Sequence, residues 1–364
     1  MTYVSFIFDS YHQGTIFIIN CIMKKTFFFC NLVLLLSCNE NDQHKTKSDL
    51  VLGSKKANVT KTLNNEKQKG PLAYAPIVPK LQDGDTVEVK IDVVHKLFTV
   101  KNGVSFTGWL FGDSLPGPIL RVRVGQTIKF SMTDRSNDSS MMSMGVGGQM
   151  LQPMPHSIDF HAAMVNPEDK YRSIFPGETI HFTWTANYPG VFMYHCGTPM
   201  VLLHMISGMV GMVIVDPKGG FPGTPDREIA IVQNEYYLKQ QGTAFTPDTT
   251  MAMKKQPNFI AFNGKVGQYV VHPIHVKTGE RIRLYFLNVG PNNISSFHVI
   301  GTIFDKVWFD GNPANQFTGM QAVLVGPAQG AILEFVLPEK GKYTFVDHSF
   351  ANAEMGAAGI LAAD

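Results

Sequence analysis

The feature that most constrains this chain is an internal repeat. Three segments recur in the same order, about 150 residues apart, as one unit used twice would require. VGQTIKF (124–130) matches TGERIRL (278–284), Tyr194-His195-Cys196 matches Asp347-His348-Ser349, and GMVGMVIVD (208–216) matches GAAGILAAD (356–364). From Asp83 onward, runs such as TVEVKIDVV and ETIHFTWTA alternate polar and apolar residues. That is the two-residue period of half-buried strands, and helical periodicity is weak nearly everywhere. The 33 Gly and 21 Pro are scattered, as turns between short strands require. The reading is an all-β chain of two tandem Greek-key β-sandwich domains, 80–217 and 227–364, joined by the Pro/Gly-rich DPKGGFPGTPD. With 44% hydrophobic and only 16% charged residues, both can bury a core. A net charge of +2 leaves no electrostatic footprint for nucleic acid.

Residues 1–38 are set aside as a targeting segment. From Met23 the chain carries two lysines, an apolar run and Leu-Leu-Ser-Cys ending at Cys38. This resembles a bacterial lipoprotein signal, in which Cys38 becomes the lipidated first residue. The apolar run is short for a membrane-spanning helix. Translation is expected to start at Met23, with residues 1–22 a spurious extension, and 39–79 to form a flexible polar tether. The folded body is thus expected to be exported, periplasmic or at the cell surface, and held to the membrane only by its lipid.

Of four cysteines, three lie in or before the signal, so the folded domains hold a single thiol, Cys196, and no disulfide. A lone thiol in an oxidising compartment needs a reason, and metal ligation is one. In YHCGTPMVLLHMISGM, Cys196 is followed by His204 and then Met209. Thiolate, imidazole and thioether on one loop suit a copper that cycles between Cu(I) and Cu(II). A blue-copper site needs two His, one Cys and a weak axial Met. His156 in MPHSIDFHAAM is the candidate second imidazole. Any one of these residues alone is commonly an ordinary core residue; the signal is the set.

His195 immediately precedes Cys196, and successive side chains of a strand point to opposite faces. If Cys196 points into its own sandwich, His195 points out of it. The alternative is an exposed His beside a buried Cys. It is weakened by His161, a second outward candidate five residues after His156. In the repeat, His348 takes the place of His195 while Ser349 replaces the cysteine. The expectation is one thiolate copper per chain and a second copper held by His161, His195 and His348. Three imidazoles with an open fourth position describe a catalytic metal site. Asp159 lies between His156 and His161, and His298 matches His156 in the repeat. Both are candidates for proton delivery, against the plainer readings of a turn carboxylate and a satisfied core histidine. The Met-rich stretch 141–154 reads as loop packing, or as a surface for docking a partner.

From about Leu81 to the C-terminus these residues resemble the copper-containing nitrite reductases. The resemblance implies two cupredoxin-like domains and a type 1 copper on His156, Cys196, His204 and Met209. It implies a type 2 copper on His161, His195 and His348, catalytic roles for Asp159 and His298, and a pocket residue at Ile300. It further implies reduction of nitrite to nitric oxide, with electrons from a small cupredoxin or cytochrome c. The expected assembly is a homotrimer with each type 2 copper between domain 1 of one subunit and domain 2 of the next. The Cys196–His204 loop resembles the shorter form in the family, which bears on the colour and potential of the type 1 copper. Gln321-Ala322 stands where many members have Glu-Thr supporting the catalytic histidine. Two rivals remain. A laccase-like oxidase needs about eight imidazoles, usually as His-x-His pairs, and this chain has 12 His and no such pair. A non-enzymatic electron carrier explains the thiolate set but leaves Asp159, His161, His195, His298 and His348 without work.

Overall fold

A computed structural model of the chain describes residues 75–136 and 154–364 in full, and the backbone of three N-terminal strands. Those strands, β1 (Val4–Phe8), β2 (Phe17–Lys24) and β3 (Phe27–Leu32), pair antiparallel within a separate unit, Met1–Asn64. Cys38, the tether up to residue 74 and the Met-rich stretch up to residue 153 lie outside the described residues. Met154 is described, and it packs against the first core.

In the unit Asn65–Asp364 the first repeat supplies β4 (Thr86–Lys101), β5 (Val104–Phe111), β6 (Leu120–Arg123), β7 (Thr127–Asp134), β8 (Asp159–Phe160), β9 (Thr179–Thr185), β10 (Gly190–His195) and β11 (Val210–Asp216). They form two sheets, β5-β4-β7-β9 and β6-β11-β10-β8, packed face to face. Their edges read from the sequence as half-buried: TIHFTWT in β9 alternates exposed and buried at every residue.

The second repeat supplies β12 (Arg227–Tyr236), β13 (Leu238–Gln241), β14 (Ala244–Pro247), β15 (Phe259–Phe262), β16 (Ile274–Val276), β17 (Arg281–Asn288), β18 (Ser295–Val299), β19 (Phe304–Phe309), β20 (Gln316–Met320), β21 (Ala322–Val325), β22 (Gly330–Val336), β23 (Gly341–Asp347) and β24 (Ala358–Ala363). Its sheets are β15-β12-β17-β22-β19-β20 and β16-β24-β23-β18-β21. The pairings of the first half recur. β4 runs parallel to β7 as β12 does to β17, and β6 parallel to β11 as β16 does to β24. β10 lies antiparallel between β11 and β8, as β23 lies between β24 and β18. Even the second glycine of the repeated Gly-x-x-Gly does the same work twice. A Cβ on Gly211 would stand 2.1 Å from the Tyr194 ring, and one on Gly359 2.2 Å from the Phe345 ring. Each glycine lets an aromatic side chain lie flat across the neighbouring strand.

The halves are not separate bodies. One apolar cluster draws Val191, Met193, Met212 and Ile214 from the first half and Val232, Tyr285, Trp308 and Ile332 from the second. Burying such side chains on both sides is worth roughly 1.5–3 kcal/mol each against exposure. This explains why β11 is buried at every residue rather than at alternate ones. The hairpin β13-β14 belongs to the second half yet extends the first half's sheet beside β5. Arg121 closes the junction, donating to Asp216 and Glu228 at 2.9 Å each, with Tyr285 donating to Glu228 from the other side.

Candidate metal centres

Strand β10 fixes the geometry of both candidate centres. Along it Val191 and Met193 face the cluster shared by the two halves, while Tyr194 and Cys196 face the first core. His195 continues the face of Val191 and Met193, so it stands on the opposite side of the strand from the thiol. Tyr194 anchors the turn by donating its hydroxyl to the Pro118 carbonyl at 2.8 Å.

On the inner side, His156, Cys196 and His204 are all fully buried, with their ligand atoms within 4.8 Å of one another. Cys196 Sγ lies 3.2 Å from His204 Nδ1, and the Nδ1 atoms of His156 and His204 face each other at 3.3 Å. His156 is held by a backbone bridge to Ile174, and His204 by the short helix Val201–Ile206. The Ser157 amide donates to Cys196 Sγ at 3.3 Å. Met209 is also fully buried in this core, and its carbonyl accepts from the Cys196 amide at 3.3 Å. Burial pushes the Cys196 thiol up; the Ser157 and Thr198 hydrogen bonds pull the other way. Burial, reinforced by its histidine neighbours, pushes His156 down to about 2, and burial pushes His204 down to about 4. Two neutral imidazole nitrogens and a sulfur, aimed at one point in a dry core, fit a soft cation such as copper.

On the outer side, His161 Nε2 and His195 Nε2 lie 3.1 Å apart, and Asp159 Oδ2 is 3.7 Å from His195 Nε2. The β8–β10 pairing sets Asp159 directly opposite His195. His195 Nδ1 donates to the Cys196 carbonyl at 2.9 Å, which fixes its tautomer and leaves the lone pair on Nε2, facing His161. His161 is pushed down, first by burial and then by His195, with Asp159 opposing.

His298 and His348 meet elsewhere, on the second sandwich, with ring centroids 5.5 Å apart. The ligand group that contains His161 and His195 includes Asp159 and not His348. Within one chain, then, the structure gathers two of the three expected imidazoles. His298 Nδ1 donates to the Gln321 carbonyl at 2.5 Å, while Ala322 faces it across β18–β21. Gln321 therefore supports the His298 ring through its backbone carbonyl. Ile300, Leu324 and Phe350 are exposed on the same sandwich, and Phe350 packs edge-on to His348 at 4.7 Å. His348 itself hangs from a tied-down turn. Its neighbour Asp347 is fully buried and accepts from the amides of Ser296 and Ser349 and from Gln233 and Asn352.

Sequence reasoning missed His95. Its Nε2 lies 2.8 Å from His156 Nε2, and its ring stacks on Trp109. Burial pushes it down to about 4.

Comparison with known proteins agrees with this chemistry. Residues 92–220 match a multicopper oxidase family model. The copper-containing nitrite reductase of Neisseria meningitidis serogroup B is 37% identical over 297 residues, covering 79% of this chain and 72% of that protein. A copper-containing nitrite reductase of Pseudomonas chlororaphis is 27% identical over 74% of this chain and 77% of its own length. Among solved structures, copper nitrite reductase from Nitrosomonas europaea superposes with a TM-score of 0.67 at 36% identity, covering 77% of this chain and 94% of that one. With these relatives and this two-sandwich, cupredoxin-like architecture, the chain belongs to the copper-containing nitrite reductase family.

Proposed function

We propose that this chain reduces nitrite to nitric oxide, using a type 1 copper on His156, Cys196, His204 and Met209 and a type 2 copper on His161, His195 and His348. One observation carries the reading: two ligand sets of different chemistry face opposite sides of one strand and are joined by the Cys196–His195 peptide link. Bound copper would supply one-electron chemistry at the thiolate set and an electrophilic site for the anion at the imidazole set. Cys196 and His195 then give the electron a short covalent path from one set to the other.

The reaction consumes nitrite, two protons and one electron, and yields nitric oxide and water. Two proton-handling groups are therefore needed. Asp159 holds its carboxylate beside the His195 nitrogen, and His298 keeps Nε2 available because its Nδ1 proton is committed to Gln321. Since His348 stands apart from His161 and His195 in one chain, a homotrimer would bring it from a neighbouring copy, with Ile300 in the pocket wall. The exposed apolar residues beside His298 and His348 support such a contact. The electron donor is a small cupredoxin or a cytochrome c. Residues 23–38 support export and lipid anchoring at Cys38 in the periplasm or at the cell surface; among the described residues no helix is long and apolar enough to cross a membrane.

The direct test is to load the protein with copper, reduce it, and add nitrite without oxygen. Recovery of the visible sulfur-to-copper band with release of nitric oxide is expected. A band that stays bleached on nitrite addition would leave only an electron carrier.

A further inference from the structure

We propose that His95 is a positioning residue for the thiolate centre: its Nε2 accepts the Nε2–H of His156 and so holds that imidazole with Nδ1 turned to the metal. The proposal rests on the type 1 reading given above. Strand β4 carries His95 directly opposite Trp109 of β5, so the two rings leave the sheet on one face and stack, 5.4 Å apart at 19°. The indole in turn meets His156 edge-on at 5.5 Å and His204 at 5.0 Å. One tryptophan thus spaces three imidazoles, and His95 reaches His156 at 2.8 Å, Nε2 to Nε2.

A neutral imidazole has one donor nitrogen and one acceptor. His156 Nδ1 faces Cys196 and His204 across the candidate site, so its lone pair belongs there and the ring proton belongs on Nε2. His95 Nε2 must then be the acceptor, and its own proton sits on Nδ1, a buried atom that finds no hydrogen-bond partner among the described residues. The two ligand imidazoles are held unequally. Among the described residues His204 Nε2 is buried and has no hydrogen-bond partner, so His156 is the imidazole whose outer nitrogen a side chain fixes. Such outer partners set ring orientation and raise ligand basicity.

The experiment compares two substitutions in the full copper-loaded protein. His95→Phe keeps a flat ring on Trp109 but removes the acceptor; His95→Gln restores an acceptor without the ring. Copper(I) affinity is measured by competition with a chromogenic chelator, together with the visible band, the reduction potential and the resonance spectrum of the second copper. H95F is expected to weaken copper(I) binding by roughly 10–100-fold and to move band and potential, with the second copper's spectrum unchanged. H95Q is expected to return these values towards the parent. Parent-like affinity, band and potential in H95F would overturn the proposal. Equal displacement in H95F and H95Q would also overturn it, since packing on Trp109 would then be the cause. If H95F does not fold, H95L against H95Q makes the same comparison. A parent protein that takes up copper without an intense band fails differently: it strikes the type 1 reading itself, before any variant is compared.

Discussion

Asp159 and His195 sit directly opposite each other on paired strands, with carboxylate and imidazole 3.7 Å apart, while the Cys196 sulfur lies on the other side of the same strand. This places a carboxylate at the imidazole set without touching the thiolate set. Asp159→Asn keeps the shape and removes the ionisable carboxyl group. Both coppers should remain bound by metal analysis, while nitrite turnover falls by roughly 10²–10⁴, the range of general acid–base groups. A parent-like rate in D159N would remove the carboxylate from the reaction.

His298 makes a paired prediction. Its Nδ1 proton goes to the Gln321 carbonyl, so the Gln321 side chain should be dispensable. Gln321→Ala is expected to keep turnover and its pH profile. His298→Leu is expected to lower turnover by roughly 10²–10⁴. Steady-state kinetics across pH decide both; a Q321A profile displaced like that of a proton-network variant would show that the side chain takes part.

The metal-free protein should lose stability in mild acid. Burial holds His95 and His204 down at about 4 and His156 down at about 2, against about 6.5 in an unfolded chain. The folded state therefore resists protonation that the unfolded state accepts. The stability due to neutral histidines is fully present above about pH 6.5 and is lost as pH falls towards the folded values. Each such group contributes a slope of up to about 1.4 kcal/mol per pH unit in that window. Thermal midpoints of apoprotein from pH 7 to 4.5 check this. A flat profile would contradict it.

Arg121 ties the end of the first repeat to the start of the second through Asp216 and Glu228, in a setting where its side chain is 11% exposed. Arg121→Met leaves the Asp216 carboxylate buried without its cation. Breaking such a buried pair from one side costs about 3–5 kcal/mol. Urea unfolding should show that loss with the copper spectra of the folded protein unchanged; a loss below about 1 kcal/mol would place this pair among ordinary surface ion pairs.

What could be read in the sequence was what is local or repeated. The alternation of β9 and the paired segments of the two halves are carried by neighbouring residues, and they led to the right architecture. The Cys196, His204 and Met209 spacing sits in one short segment of chain, so it too was visible. His95 was invisible for a physical reason. Its place beside His156 depends on the register of β4 against β5 and on packing between residues 61 apart in sequence. A solitary histidine in a 16-residue strand carries no spacing signal. The crossing of β13 and β14 onto the first half's sheet was hidden likewise, because edge pairing leaves no mark on a strand's own pattern. The separation of His348 from the other imidazoles was expected from the family resemblance alone, since the repeat aligns positions in two copies without saying how copies face one another.

Strand β10 is gripped on both faces, by the first core at Tyr194 and by the shared cluster at Val191 and Met193. A ribbon wedged in this way has little freedom to shift when charge arrives at its end. In the proposed reaction, adjustment to each electron would then fall to the hydrogen bonds around the sulfur and the rings. The backbone can stay still from one turnover to the next, like the fixed jaw of a vice.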